Sequence, residues 1–278
     1  MESNFDLTEV IKANQKVHTQ FADIYNTTEP HFRPENREKV RSRIVSAVDS
    51  LGTRDHMLDV GCGTGFLIGL SHDLFAHISG VDVTQAMLDR VDLSPGNITL
   101  YNAPAERIPL ESDTVDFAAS YSFLDHVANV TDVFKEVFRL LRNDGLFYSD
   151  LLPNRSFWRA LSEVDRTRVT SPLVLREYRE VVEHDKKMEE EWNVDPNDWR
   201  LTEPGKAKFG GFDSTEIKLL LESVGFRDVQ VELDWFLGEA SVIHGKSPEA
   251  ARQIGEHFKA VRPLSDGLFK YFYFVARK

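Results

Sequence analysis

The run Leu58-Asp59-Val60-Gly61-Cys62-Gly63-Thr64-Gly65, with Gly80-Val81-Asp82-Val83 after it, constrains this chain more than any other stretch. An apolar strand that ends in a glycine-rich turn and opens a helix lets backbone N–H groups approach a ligand where no side chain stands in the way. The turn reads as a nucleotide-type cofactor site. About twenty residues further on, a second strand ends in Asp82, whose carboxylate is placed to accept hydrogen bonds from ribose hydroxyls. The two turns are expected to form one pocket.

Dinucleotide-binding folds show G-x-G-x-x-G, whereas Gly61, Gly63 and Gly65 are spaced G-x-G-x-G, with Asp59 two positions before the first. Further on come Asn102-Ala103-Pro104-Ala105-Glu106-Arg107-Ile108-Pro109-Leu110 and then Asp113-Thr114-Val115-Asp116-Phe117. These blocks, in this order, resemble the class I S-adenosylmethionine-dependent methyltransferases of the small-molecule type. The resemblance is close over roughly residues 35 to 150 and looser over 210 to 278. It implies an α/β fold: a Rossmann-like, seven-stranded, mostly parallel sheet with helices on both faces and an antiparallel last strand. It also implies roles within the pocket. Asp59 lies by the methionine amine of S-adenosylmethionine, and Gly61, Gly63, Thr64 and Gly65 run along the cofactor. Asp82, with Val83 beside it, holds the ribose, and Ala105 and Glu106 lie on the adenine side. Many relatives carry an acidic residue where this chain has Pro104, which leaves adenine to backbone groups or to Glu106.

Strand and helix patterns alternate through the first half of the chain, as a parallel sheet requires. Phe66, Leu67 and Leu70 mark a helix against the sheet, and Thr84 is expected to cap a second one carrying Ala86, Met87 and Val91. Val133, Phe134, Val137, Phe138 and Leu141 predict an amphipathic helix that stops at Gly145, followed by a strand from Leu146 to Leu152. The next clear helix start is Asp213-Ser214-Thr215-Glu216, an acidic capping box, so about sixty residues intervene where a short loop would serve. That insert is highly charged yet holds Phe157, Trp158, Tyr178, Trp192 and Trp199, more aromatics than a disordered linker carries. The expected division is a lid over 1–34, a cofactor-binding core over 35–152, a substrate-recognising cap over 153–210 and the closing part of the core over 211–278. Val229–Leu233 and Leu268–Val275 are the remaining strand candidates.

The chain is 278 residues long with a net charge of −12, which argues against nucleic acid as a partner, because such binding leans on Lys and Arg neutralising phosphates. No apolar run approaches the roughly 18 residues of a membrane span, and Met1 to Asp6 lack the pattern of a signal peptide. A soluble, cytoplasmic protein without a membrane partner is expected, with its oligomeric state open and a homodimer admissible. Cys62 is the single cysteine, so no intrachain disulfide can form, and the nine histidines show no metal-ligand spacing.

An activated methyl group asks mainly for alignment of an acceptor and exclusion of water. Ser120 and Tyr121 end the fourth strand at the carboxyl edge where ligands bind in open α/β sheets, with Ser120 expected at the methionine half of the cofactor. Just beyond, Phe123-Leu124-Asp125-His126-Val127 occupies the loop where related enzymes face the acceptor, and His126 is the candidate general base. The competing reading is a loop histidine that satisfies backbone groups. Met87 either lays its thioether on the adenine or belongs to the core. In the N-terminal segment, Tyr25 is assigned to the cofactor carboxylate, and His31 and Arg33 to the acceptor. Trp158, Tyr178 and Trp192 of the insert complete the acceptor set, favouring a partly apolar small molecule. The arginines near the insert's start, if they bind rather than form a solvated face, point to a carboxylated or phosphorylated acceptor. Transfer of another sulfonium substituent on the same scaffold stays open, since nothing in the turn separates the two reactions.

Overall fold

The structure is a computed structural model, and it describes residues 5–245 and 247–278. The first four residues, on which part of the N-terminal reading rests, lie outside the described residues. In chain order, α1 (Leu7–Phe21), α2 (Tyr25–Thr28) and α3 (Pro34–Val48) precede β1 (His56–Val60). Then come α4 (Phe66–Ser71), β2 (His77–Asp82), α5 (Gln85–Leu88), β3 (Ile98–Asn102), β4 (Val115–Tyr121), α6 (Val130–Leu140) and β5 (Leu141–Pro153). Five helices follow: α7 (Arg155–Ser162), α8 (Pro172–Val181), α9 (His184–Trp192), α10 (Pro196–Thr202) and α11 (Pro204–Phe209). The chain closes with α12 (Ser214–Val224), β6 (Arg227–Phe236), α13 (Glu239–His244), α14 (Pro248–Ala260) and β7 (Phe269–Arg277).

The seven strands form one sheet in the order β3-β2-β1-β4-β5-β7-β6, with β7 antiparallel to both its neighbours and the first five strands parallel. β1 and β4 sit at its centre and bury nearly every residue, as strands covered on both faces must. On one face α6 contributes Val133, Phe134, Val137 and Leu140, and α12 contributes Ile217 and Leu221. On the other, Val40, Ile44 and Val48 of α3 pack with Phe66, Leu67 and Leu70 of α4. Asp213 caps α12 as its sequence predicts, its carboxylate accepting from the N–H groups of Thr215 at 2.9 Å and Glu216 at 3.1 Å.

Several expectations shift. α5 spans only Gln85–Leu88, so Val91 lies beyond it, and the Thr84 side chain makes no capping hydrogen bond. α6 ends at Leu140 and the next strand starts at once, because Leu141 already pairs with Val115 of β4 before Gly145 is reached. Two helices, α13 and α14, stand between β6 and β7 where no helix was anticipated. The insert is five helices, and its buried Met188, Val194 and Trp199 form a small cluster with Val17 of α1, against which Phe21 packs.

Charge also holds the architecture. Arg43 of α3 reaches Asp150 of β5 at 3.0 Å and Asp234 of β6 at 2.7 Å, and its guanidinium lies 4.3 Å from the Tyr273 ring centroid. Lys39, one turn earlier, pairs with Asp234 at 2.9 Å and Glu239 at 2.7 Å. Burial would raise the Asp234 carboxyl, but Arg43 and Lys39 outweigh it and hold it down at about 2. A carboxyl depressed in the folded state stabilises above its ordinary value of 3.8, and that stability is lost as pH falls toward 2. Arg43→Met leaves two carboxylates short of a partner and should cost about 3–5 kcal/mol, read as a lower urea midpoint with unchanged slope. A loss below about 1 kcal/mol would show the network to be a solvated surface pairing.

Candidate functional site

The turn between β1 and α4 is tied to the end of β2. The N–H groups of Gly61 and Cys62 both donate to the Val81 carbonyl, at 2.8 and 2.9 Å, and Gly63 N donates to Asp82 Oδ2 at 3.0 Å. Asp82 Oδ1 accepts from Thr84 N at 2.8 Å, so this carboxylate organises both turns while each oxygen keeps a further lone pair. Gly61 has φ +69° and Gly63 φ +51°, the left-handed region that glycine enters without strain. A Cβ on Gly61 would meet Phe123 Cδ2 at 1.9 Å, so the ring from the loop after β4 lies directly on bare backbone.

Above this turn is a cleft with about 920 Å³ of empty space, part of it continuous with solvent. Of the residues singled out in the sequence, Asp59, Gly61, Gly63, Thr64, Asp82, Val83, Met87, Ala105 and Glu106 line it. Tyr25, His31, Tyr121, Phe123 and His126 line it as well. Ser120 and Gly65 do not: Ser120 is fully buried with its hydroxyl 2.8 Å from Ser149 Oγ, and Gly65 packs toward Val91. Nor does the structure bring Arg33, Trp158, Tyr178 or Trp192 to the cleft. Arg33 is exposed at the start of α3, Arg166 sits over the Tyr178 ring, and Trp192 packs edge-on against Phe21. Of the insert's aromatics, Trp192 and Trp199 pack against α1.

Sequence reasoning missed the inner face of α1, where Val10, Ile11, Asn14 and His18 close the cleft. Asn14 Nδ2 reaches the carbonyls of His126 at 3.2 Å and Thr202 at 3.5 Å, and Gln15 Nε2 donates to the Val83 carbonyl at 3.0 Å. The available signal was the recurrence Val10, Asn14, Val17: a polar residue on an otherwise apolar helical face is a buried polar group in need of a partner.

The electrostatics of the cleft divide it in two. Asp59 is buried, its Oδ2 accepts no hydrogen bond among the described residues, and burial reinforced by the charge of Asp82 raises its carboxyl to about 8. Burial also raises Asp82 and Glu106. A nucleotide-like group bearing an ammonium fits these residues: an orphaned acid for the cation, a second acid with lone pairs to spare, and a glycine cradle between them. The other half holds imidazoles. His31, 4.7 Å from the Phe66 ring and 5.3 Å from that of Tyr121, is pushed down to about 3 by burial. His18 is lowered to about 3 as well, first by burial and then by His126, whose ring it meets edge-on at 5.2 Å. His126 Nδ1 lies 2.8 Å from the Thr202 carbonyl, a geometry that assigns the proton to Nδ1 and leaves Nε2 as the basic atom.

Residues 58–149 match a family model described as a methyltransferase domain. Among curated relatives, the chain is 30% identical over 156 residues to a demethylmenaquinone methyltransferase of Symbiobacterium thermophilum, covering 52% of this chain and 53% of that protein. It is 26% identical over 172 residues to a tRNA (carboxymethyluridine(34)-5-O)-methyltransferase of Saccharomyces cerevisiae, covering 60% of this chain and 61% of that one. The chain spans less than two thirds of the length of the curated relatives it matches. The fold is shared with a SAM-dependent methyltransferase from Archaeoglobus fulgidus, at TM-score 0.51 and 18% identity over 87% of this chain and 94% of that one. The glycine turn and both acidic strand ends, Asp59 and Asp82, lie within the residues that match the methyltransferase domain, and the seven-stranded sheet around them has the fold of the Archaeoglobus fulgidus protein.

Proposed function

We propose that this protein is a cytoplasmic methyltransferase that uses S-adenosylmethionine to methylate a small-molecule acceptor by in-line displacement. The observation that carries the reading is the buried, hydrogen-bond-deficient Asp59 beside the Gly61–Gly63 cradle and Asp82. When bound, S-adenosylmethionine supplies a methyl group already activated on a sulfonium. Asp59 would pair with its amine, Asp82 would accept from its ribose hydroxyls, Met87, Ala105 and Glu106 would bound the adenine side, and Tyr25 would serve the carboxylate. α1 excludes water from above. His126, with Nε2 as its basic atom, takes the acceptor's proton where the acceptor carries one.

A small acceptor is supported by the roof that α1 builds and by the acidic character of the cleft. The yeast relative is named for a tRNA substrate, but a polyanion gains nothing from Asp59, Asp82 and Glu106, and the chain's net charge of −12 opposes its approach. Among the described residues no helix is long and apolar enough to cross a membrane.

Cofactor binding should be linked to a proton. With the Asp59 carboxyl raised to about 8, the free protein holds it neutral at pH 7, while a bound ammonium favours the ionised form. Binding then releases a proton, and affinity rises toward tenfold per pH unit from pH 6 to 8 before levelling off. Calorimetry in buffers of differing ionisation enthalpy reads the release directly. Asp59→Asn should abolish it and weaken binding; a wild-type heat independent of buffer would sink the assignment.

Methyl transfer itself is read by incubating the protein with isotope-labelled S-adenosylmethionine and a metabolite extract. A mass shift of one labelled methyl on a small molecule, lost in Asp82→Ala, is the expected result. Label in tRNA, or transfer of a different cofactor fragment, would replace this reading.

A further inference from the structure

The part of the cleft assigned to the acceptor is walled by Asn14, His18, His31, Tyr121 and His126, with the Phe123 ring at its border with Gly61 of the cradle. No Lys or Arg is among the described residues that line the cleft. Positive charge is also absent from two of its three imidazoles, since burial keeps His18 and His31 neutral at physiological pH.

Directly behind His126 lies an ionic cluster assembled by the insert. Lys206 of α11 places Nζ 2.7 Å from Asp125 Oδ2 and 2.5 Å from Glu203 Oε1, and Glu203 Oε1 is 3.9 Å from His126 Nε2. Asp125 is 2% exposed and Glu203 6%, and Asp125 Oδ1 accepts no hydrogen bond among the described residues. Burial alone would neutralise both Asp125 and Lys206, but their mutual attraction reverses this in each case, so both stay charged. Two carboxylates against one ammonium leave one negative charge uncompensated. In a low-dielectric setting that charge is felt across the neighbouring cleft. The walls add aromatic faces, Tyr121 and Phe123, of the kind on which cations rest.

We propose that the acceptor subsite recognises a small amine, which arrives as an ammonium ion and is drawn to the surplus charge of the Asp125–Glu203–Lys206 cluster. This rests on the methyltransferase reading only in calling the bound molecule an acceptor. His126 stands between the cluster and the cleft. Its Nε2 takes one proton from the ammonium, leaving a neutral amine with a free lone pair and an imidazolium that faces Glu203. The charge passes from ligand to imidazole without leaving the field of the cluster. Among the described residues, the charged and titratable groups facing His126 fit this arrangement: Asp125 beside it, Glu203 just before α11 and Lys206 within it, neutral His18 from α1 and Asp82 across the cleft. The same field disfavours carboxylated and phosphorylated acceptors, the class that the insert's arginines had suggested.

The test uses three probes that share a phenol ring and differ in head group: tyramine, 4-ethylphenol and 4-hydroxyphenylacetate. Each is titrated calorimetrically into protein saturated with S-adenosylhomocysteine. Tyramine should bind about tenfold or more tighter than 4-hydroxyphenylacetate, with 4-ethylphenol between them. Glu203→Gln, which removes the surplus charge, should level the series while leaving S-adenosylhomocysteine affinity unchanged. Should that variant fail to fold, raised salt on the wild type gives a second reading, compressing the series from the tyramine end. Equal affinities, preference for the carboxylate or no binding of tyramine at millimolar concentration each overturn the proposal. If S-adenosylhomocysteine does not bind, the methyltransferase reading falls instead, and the same titration of the cofactor-free protein still reads the charge preference.

Discussion

The cleft depends on one knot of hydrogen bonds at the carboxyl edge of the sheet, where the glycine turn after β1 is fastened to the end of β2. Gly61 and Cys62 share the Val81 carbonyl, and Gly63 donates to Asp82. The turn must pass through positive φ to reach these acceptors, and only residues without a Cβ do so while also letting the Phe123 ring settle on the chain. Asp82 therefore has two tasks. It satisfies orphan N–H groups of the turn and of Thr84, and it presents its remaining lone pairs to the cleft. The two tasks are coupled: a substitution that removed the proposed ribose contact would also loosen the cradle, which is why Asp59, whose Oδ2 carries no such structural hydrogen bond, is the cleaner probe of the proposed cofactor contact.

The insert and the N-terminal helix are best understood together. Neither has a large core of its own. Val17 and Phe21 of α1 meet Met188, Val194 and Trp199 of the insert, and Asn14 reaches the backbone on both sides of the seam, at His126 and Thr202. The roof of the cleft is thus clamped to the loop after β4 through a side-chain amide, while Thr202 and Glu203, from the last turns of the insert, face His126. About fifty residues of chain separate Thr202 and Glu203 from the end of β5, yet both return to one imidazole.

How much of this was legible in the sequence differs by element. The sheet and its cofactor edge were, because β1, the glycine turn, Asp82 and the Ala105-Glu106 loop are contiguous motifs whose spacing carries the geometry. Capping by Asp213 was legible for the same reason: the interaction is local. The placement of Trp158, Tyr178 and Trp192 was not, since aromatic content says that a segment packs without saying against what, and here part of the packing is against α1. Asn14 and His18 went unseen because their partners lie more than a hundred residues away, at His126 and beyond. Ser120 shows a subtler limit. Strand alternation puts adjacent side chains on opposite faces, so at the end of β4 Tyr121 turns to the cleft while Ser120 turns to Ser149.

The two ionic clusters of the molecule illustrate why buried charge is retained where apolar packing would be simpler. Arg43 and Lys39 join α3 to β5, β6 and α13, and each cation there is shared between two carboxylates. Such sharing fixes the relative placement of elements that apolar contacts alone would let slide, a role consistent with specificity more than with net stability. The Asp125–Glu203–Lys206 cluster follows the same pattern, one cation between two acids, but its surplus falls beside a cleft. On the amine reading proposed above, the uncompensated charge acts there through His126, and the cost of leaving a carboxylate oxygen without a hydrogen bond becomes a means of selecting what binds. An arrangement that in the protein interior serves only to hold helices to strands stands, at this one position, a single imidazole away from the cleft.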